Sequence, residues 1–242
     1  MRWGVLALSF LLALGAFAPA TLLDARLDEA SGGRLRLALA QGSLWSGTGW
    51  IEVRDPAGTA GIARPVAWRL LPASLLRGRL AVEVSMQDAK PFPVALSLSG
   101  IEIANAAILL PAAALSLGMP RLSAFGLSGE VRVDIARLSI ARGRLDGDAT
   151  LQWRGAGSAL TPISPLGAYE IRIKAAGSGV DAMLRTLEGP LQLDGKGAWS
   201  SGEKPNFLAT VRVPPQHQEQ LAPLFRFIAV ERGAGTFELN VK

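Results

Sequence analysis

The chain has 242 residues, 49% of them hydrophobic, which is enough for one large all-β domain or two small ones around a buried core. Its complete lack of cysteine excludes thiol catalysis, disulfides and cysteine metal sites, and fits an exported domain that relies on its core alone. The net charge of +5 comes mostly from arginines spaced singly between apolar residues; with one tyrosine and eight phenylalanines, base stacking has no support and nucleic acid is excluded as a partner.

The first element is an apolar run. Trp3 to Leu23 contains no charged residue. As a helix it would extend about 31 Å, close to the hydrocarbon thickness of a bilayer. Arg2 precedes the run, and Asp24, Arg26, Asp28 and Glu29 follow it. The positive-inside rule then keeps the first two residues in the cytoplasm and exports residues 24–242. A cleaved signal peptide is the rival reading, since Ala16-Phe17-Ala18 has the small-x-small form. Pro19 would occupy the first position after that cut, where its fixed φ and missing N–H disfavour a protease. We therefore expect residues 3–23 to be an uncleaved transmembrane anchor. The scattered arginines beside it leave open a mild affinity for anionic lipid heads.

Beyond the anchor the pattern turns to short strands. Arg34 to Leu39 alternates strictly, with its leucines on one face, the signature of a half-buried strand. Alternation returns at 50–54, 80–84, 94–98, 131–135, 149–153, 169–174, 191–193, 210–213 and 236–241. Turn signals stand between them at Asp55 to Gly58, Gly143, Asp146-Gly147, Gly155 to Gly157 and Ser200 to Gly202. Apolar-in, polar-out alternation indicates antiparallel strands, and no strand–helix–strand rhythm supports a parallel fold. Short helical turns are expected at Pro72 to Leu76 and Pro111 to Leu117, and a helix broken by Pro223 at Gln216 to Phe227. Gly143 to Trp153 and Gly189 to Trp199 each place a tryptophan ten residues after a glycine, with a looser copy at Gly126 to Val133. These read as one repeated turn-plus-strand unit. No low-complexity linker divides residues 24–242, which are read as one domain.

Chemistry is hard to find. His217 is the sole histidine, in a polar helix start, so neither a zinc site nor a serine–histidine triad is supported. The Asp146/Asp148 and Asp24/Asp28 pairs match no acid–base or calcium pattern. No phosphate-binding glycine loop is present. We expect no catalytic, cofactor or metal residues and no cofactor. Trp45, Trp50, Trp68, Trp153 and Trp199 lie in or beside the expected strands, either as core or as a contact surface for protein or lipid.

One ordered set of motifs resembles a known family. Gly42-Ser43-Leu44-Trp45-Ser46-Gly47, shortly after the anchor, is similar to the GTLWSG-like segment of type II secretion system protein N, with Ser43 where threonine is typical. The likeness continues through Val66 to Leu70 with its Trp68, and through Pro72 to Gly78. It returns at Pro165 to Tyr169, with Gly167 and Tyr169, and at Gly189 to Trp199. The resemblance singles out Gly42, Leu44, Trp45, Gly47, Trp68, Gly78, Gly167, Tyr169, Gly189 and Trp199 as motif or contact residues. It implies a mainly β fold: an antiparallel sheet in the periplasm, in one layer or two, curved and elongated like those of AsmA-type envelope proteins, behind a single inner-membrane helix. It also implies a non-enzymatic part of the inner-membrane assembly that exports folded proteins across the outer membrane, with other secretion components as partners. The alternative is an envelope lipid-binding or lipid-transfer protein. Whether the apolar sheet faces meet another layer or stay open discriminates the two.

Overall fold

The structure is a computed structural model that describes residues 18–55, 58, 61–87, 89–142, 144–200, 203, 206–221, 230–233 and 236–241. Most of the expected anchor, residues 3–17, lies outside the described residues. No helix among the described residues is long and apolar enough to cross a membrane. Residues 18–23 join the folded body: Pro19 bridges Ser43, Ala20 is buried, and helix α1 (Thr21–Ser31) begins directly afterwards. The chain groups into two compact units, Met1–Ala95 and Leu96–Lys242.

The first unit is an antiparallel meander of β1 (Leu35–Gly42), β2 (Ser46–Arg54), β3 (Gly61–Leu70) and β4 (Leu80–Met86), with β5 (Phe92–Ser97) at its end. Helix α1 lies along β1, and Gly32 ends it in the left-handed conformation with φ 63°. Ala20, Leu37 and Trp68 form the core, packed by Leu23, Leu27, Ala40, Val66 and Val82. The free edge of β1 is sealed by its own chain. Asp24 accepts the Leu37 N–H at 2.8 Å, Ser31 Oγ accepts the Leu35 N–H at 2.8 Å, and Ala20 N–H donates to the Gly42 carbonyl at 3.2 Å. An exposed strand edge is a template for unwanted pairing, and these contacts remove the template.

The strict alternation expected of 34–39 breaks at Leu39. This residue has φ 52° and sits in a bulge, because the register passes from Ala38 opposite Trp50 to Gln41 opposite Thr48. The extra residue turns the Leu39 side chain outward, 76% exposed, while Leu37 stays in the core. Strand β3 begins earlier than the expected tryptophan strand and contains Pro65. Proline fits there because β4 pairs only with Val66 to Leu70, so the ladder on that side has already ended.

The second unit runs β6 (Gly100–Pro111), β7 (Leu127–Ala141), β8 (Arg144–Ser158), β9 (Gly167–Ala176), β10 (Gly179–Glu188), β11 (Gln192–Ser200) and β12 (Phe207–Arg212), each beside the last. Then β14 (Thr236–Val241) pairs with β12, and β13 (Val230–Gly233) pairs with the far side of β14. Two expected turns lie inside β8 instead. Asp146 and Gly147 pair with Ser139 and Leu138 because the hairpin turns earlier, at Arg142, and the Asp146 carboxylate takes the Gly177 N–H at 2.7 Å. Gly155 to Gly157 form a bulge opposite β7 and β9 rather than a chain reversal. The expected helix after Gln216 is described only as a 3₁₀ turn, Pro215–His217, and helical residues to Leu221; Leu224, Phe225 and Ile228 lie outside the described residues.

The core of this unit gathers at one end: Ala156, Leu166, Tyr169, Leu191, Val211, Val213 and Leu221. Register places Trp153, Tyr169 and Thr186 in one row, then Leu151, Ile171 and Leu184, then Ala149, Ile173 and Ala182. Below the Tyr169 row the large side chains of this face, Leu151, Ile171, Ile173 and Leu184, are only half-buried. The opposite face carries Gln152, Glu170, Arg172 and Arg185.

Candidate functional site

Most of the motif residues assemble into two knots, one in each unit. The first is the β1–β2 turn. Gly42 (φ 95°) and Gly47 face each other across the hairpin. Ser43 Oγ accepts the Trp45 and Ser46 amides at 3.3 and 3.2 Å, a task a threonine hydroxyl would perform equally. The Trp68 indole from β3 packs closely against Gly47. A Cβ there would stand 2.9 Å from its Cη2, so only glycine lets the ring seat. The indole N–H donates to the Ser43 carbonyl at 3.2 Å, and the ring is buried. The turn is also tied outward: Leu70 N–H donates to the Trp45 carbonyl at 2.6 Å, and Leu44 N–H to the Ala18 carbonyl at 2.8 Å. Leu44 and Trp45 are half-buried. Gly78 closes the following 3₁₀ turn (Pro72–Arg77) with φ 65°, its N–H bonded to the Leu75 carbonyl at 3.0 Å.

The second knot surrounds Tyr169. Gly167 and Gly189 approach so closely that a Cβ on Gly189 (φ 114°) would meet the Leu166 carbonyl at 2.7 Å. The Tyr169 hydroxyl lies 3.1 Å from the Leu166 carbonyl and 3.0 Å from the Leu191 carbonyl, and burial pushes its pKa well above the ordinary phenol range. Its ring packs 6.0 Å from that of Trp153. Behind it, on the other face, Glu170 is buried. Burial works to raise its pKa, but hydrogen bonds from Gln152 (3.1 Å) and Arg185 (2.9 Å), with the charges of Arg172 and Arg185, hold the carboxyl below its usual range. Trp199 is half-buried opposite Val180 on the neighbouring strand, outside this cluster.

Most motif residues thus close turns and seat rings. The surface offers something the family motifs did not single out. Trp50 is exposed, and beside it Leu39, Gln41, Thr48, Pro65 and Ala67 line an open depression of about 510 Å³. Leu39 was hidden in the alternating pattern, and only the bulge brings it to this face. A second open depression of about 610 Å³ lies over Met183, Lys196 and Leu208 in the other unit. His217 lines neither; its backbone N–H is bonded to the Pro214 carbonyl at 2.9 Å. Among the described residues, no three histidine, aspartate or glutamate side chains gather as a metal site would require.

The described residues therefore define an antiparallel β-meander protein whose glycine and aromatic motif residues are mostly packed and which exposes apolar side chains beside two open depressions. Residues 33–240 match the family model of type II secretion system protein N. The chain belongs to that family, whose members are components of the type II secretion system and are not known enzymes. Searches of curated proteins and of solved structures returned no match.

Proposed function

We propose that the chain is a non-enzymatic scaffold of the inner-membrane and periplasmic part of the secretion apparatus, anchored by the apolar run that begins at Trp3 and precedes the folded body, with its β body in the periplasm. It works by contact with other secretion components through the Leu39–Trp50 surface. The observation that carries this reading is the family match over residues 33–240. The surface supports it: an exposed leucine in a left-handed bulge contributes little to folding and places an apolar knob beside an exposed indole, the residue type enriched at binding hot spots. The direct test replaces Trp50 with a photo-crosslinking phenylalanine analogue in the full chain and irradiates secreting cells. Adducts with other secretion components support the reading; adducts with none of them refute it.

A second reading, hydrocarbon chains held on the second unit, is favoured by one observation. The rows formed by Leu151, Ile171, Ile173 and Leu184 carry no polar side chain yet remain half-buried, whereas a partner protein would normally meet a hydrogen bond every 100–200 Å², as a rough figure. The same crosslinker in place of Ile173 yields lipid adducts on this reading, and yields none when it replaces Met183 on the opposite face. Equal yields at the two positions refute it.

A further inference from the structure

Several features of the first unit meet at one of its ends. Ala18, where the apolar run meets the folded body, is bonded through its carbonyl to Leu44, and Trp45 is bonded to Leu70. The 3₁₀ turn Pro72–Arg77 follows immediately, held to β4 by the Leu71 N–H on the Ala81 carbonyl at 2.8 Å and by Ser74 Oγ, which accepts the Ala81 N–H at 2.9 Å. The chain's entry point, the Gly42–Gly47 turn and the Pro72–Arg77 turn therefore share one end of the meander.

At that end large apolar side chains face water. Leu76 is 91% exposed, and Leu22 and Leu75 are each 51% exposed. Neither the meander nor α1 covers them. Residues 18–23, 42–47 and 72–79, which build this end, contain no carboxylate. Asp24, on the same helix as Leu22, is engaged by Arg36 at 2.9 Å and by the Leu37 N–H.

We infer that this end is a membrane-contact surface, with Leu75, Leu76 and Leu22 inserted at headgroup depth of the bilayer. Exposed leucines with no carboxylate among them can bury their apolar surface at the boundary of headgroups and acyl chains. The position fits as well. The apolar run joins the folded body at Ala18 while its sequence is still uncharged, and the hydrogen bonds at Leu44 and Ala20 hold the sheet against that point. The leucines then fix the tilt of the body on the bilayer rather than its attachment. The inference rests on the anchored reading above.

The absence of cysteine makes the test clean, because Leu76→Cys creates a unique labelling site on an exposed side chain. The full chain, labelled there with an environment-sensitive nitrobenzoxadiazole dye, is reconstituted into vesicles of phosphatidylethanolamine and phosphatidylglycerol. Gln87→Cys at the far end of β4 is the control. The expected result is blue-shifted emission at position 76, quenched by lipids spin-labelled near the headgroup, with neither effect at position 87. Protein that floats with the vesicles but shows water-like, unquenched emission at position 76 overturns the inference and leaves the anchor intact. Equal quenching at both positions also overturns it. Protein that does not float overturns the anchored reading itself.

Discussion

Tyr169→Phe isolates a single oxygen at the centre of the second unit. The phenyl ring would keep its contacts with Trp153, Leu166 and Leu191, so the transfer of apolar surface is unchanged. What is lost is one hydroxyl donor between two carbonyls. A hydroxyl donates one proton, and the Leu166 carbonyl already accepts the Leu191 N–H at 3.2 Å, so the Leu191 carbonyl depends on the hydroxyl more. A net hydrogen bond is worth about 1 kcal/mol, and a buried acceptor left short of a partner adds up to about 1 kcal/mol more, giving an expected loss of about 1–2 kcal/mol. Tyr169→Ala also opens a cavity and should cost about 3–5 kcal/mol. Urea unfolding followed by circular dichroism measures both, and an unchanged m-value shows that the same surface is exposed on unfolding. A Phe variant as stable as the parent, or as damaged as the Ala variant, refutes the assignment of a shared buried hydroxyl.

Other perturbations test the remaining contacts. Gly189→Ala places a methyl against the Leu166 carbonyl at a φ of 114°, and should cost more than about 1–2 kcal/mol in the same unfolding assay; a neutral result denies the close approach. Asp24→Ala removes the acceptor of the Leu37 N–H on the sealed edge, so hydrogen exchange at that amide should accelerate about ten-fold, the ratio given by about 1.4 kcal/mol. Unchanged protection would mean that the edge is covered without it. The carboxyl of Glu170 is held below its ordinary value of 4.5. Its ionised form therefore adds stability above that pH, and the contribution is lost as pH falls through the folded-state value. Acid titration of stability should be shallower in Glu170→Gln than in the parent; parallel curves contradict the pairing with Arg185 and Arg172.

The strands were legible wherever one face stays apolar and the other polar, as in β1, β4 and β9. Strand β10 escaped because Met183 and Leu187 stand on its wet face and blur the period of two. Strand β6 escaped because Ala104 to Leu110 is nearly continuous in apolar residues around the single polar Asn105. Asp146-Gly147 carries the composition of a turn, but register with β7 carries the strand straight through it. The motif residues were visible as glycines and aromatic rings in order. Their roles were not, since the seating of Trp68 on Gly47 and the meeting of Gly167 with Gly189 join positions more than twenty residues apart. Leu39 is the clearest case of information absent from the pattern: strict alternation put it in the core, and one left-handed residue put it on the surface.

The central claim, that this chain is a working part of a type II secretion machine, is tested most directly by secretion itself. Removing its gene from the parent bacterium and assaying a folded exoprotein in medium and periplasm should show the exoprotein retained in the periplasm, with release restored by the intact chain and not by Trp50→Asp. Undiminished release in the deletion strain would contradict the account.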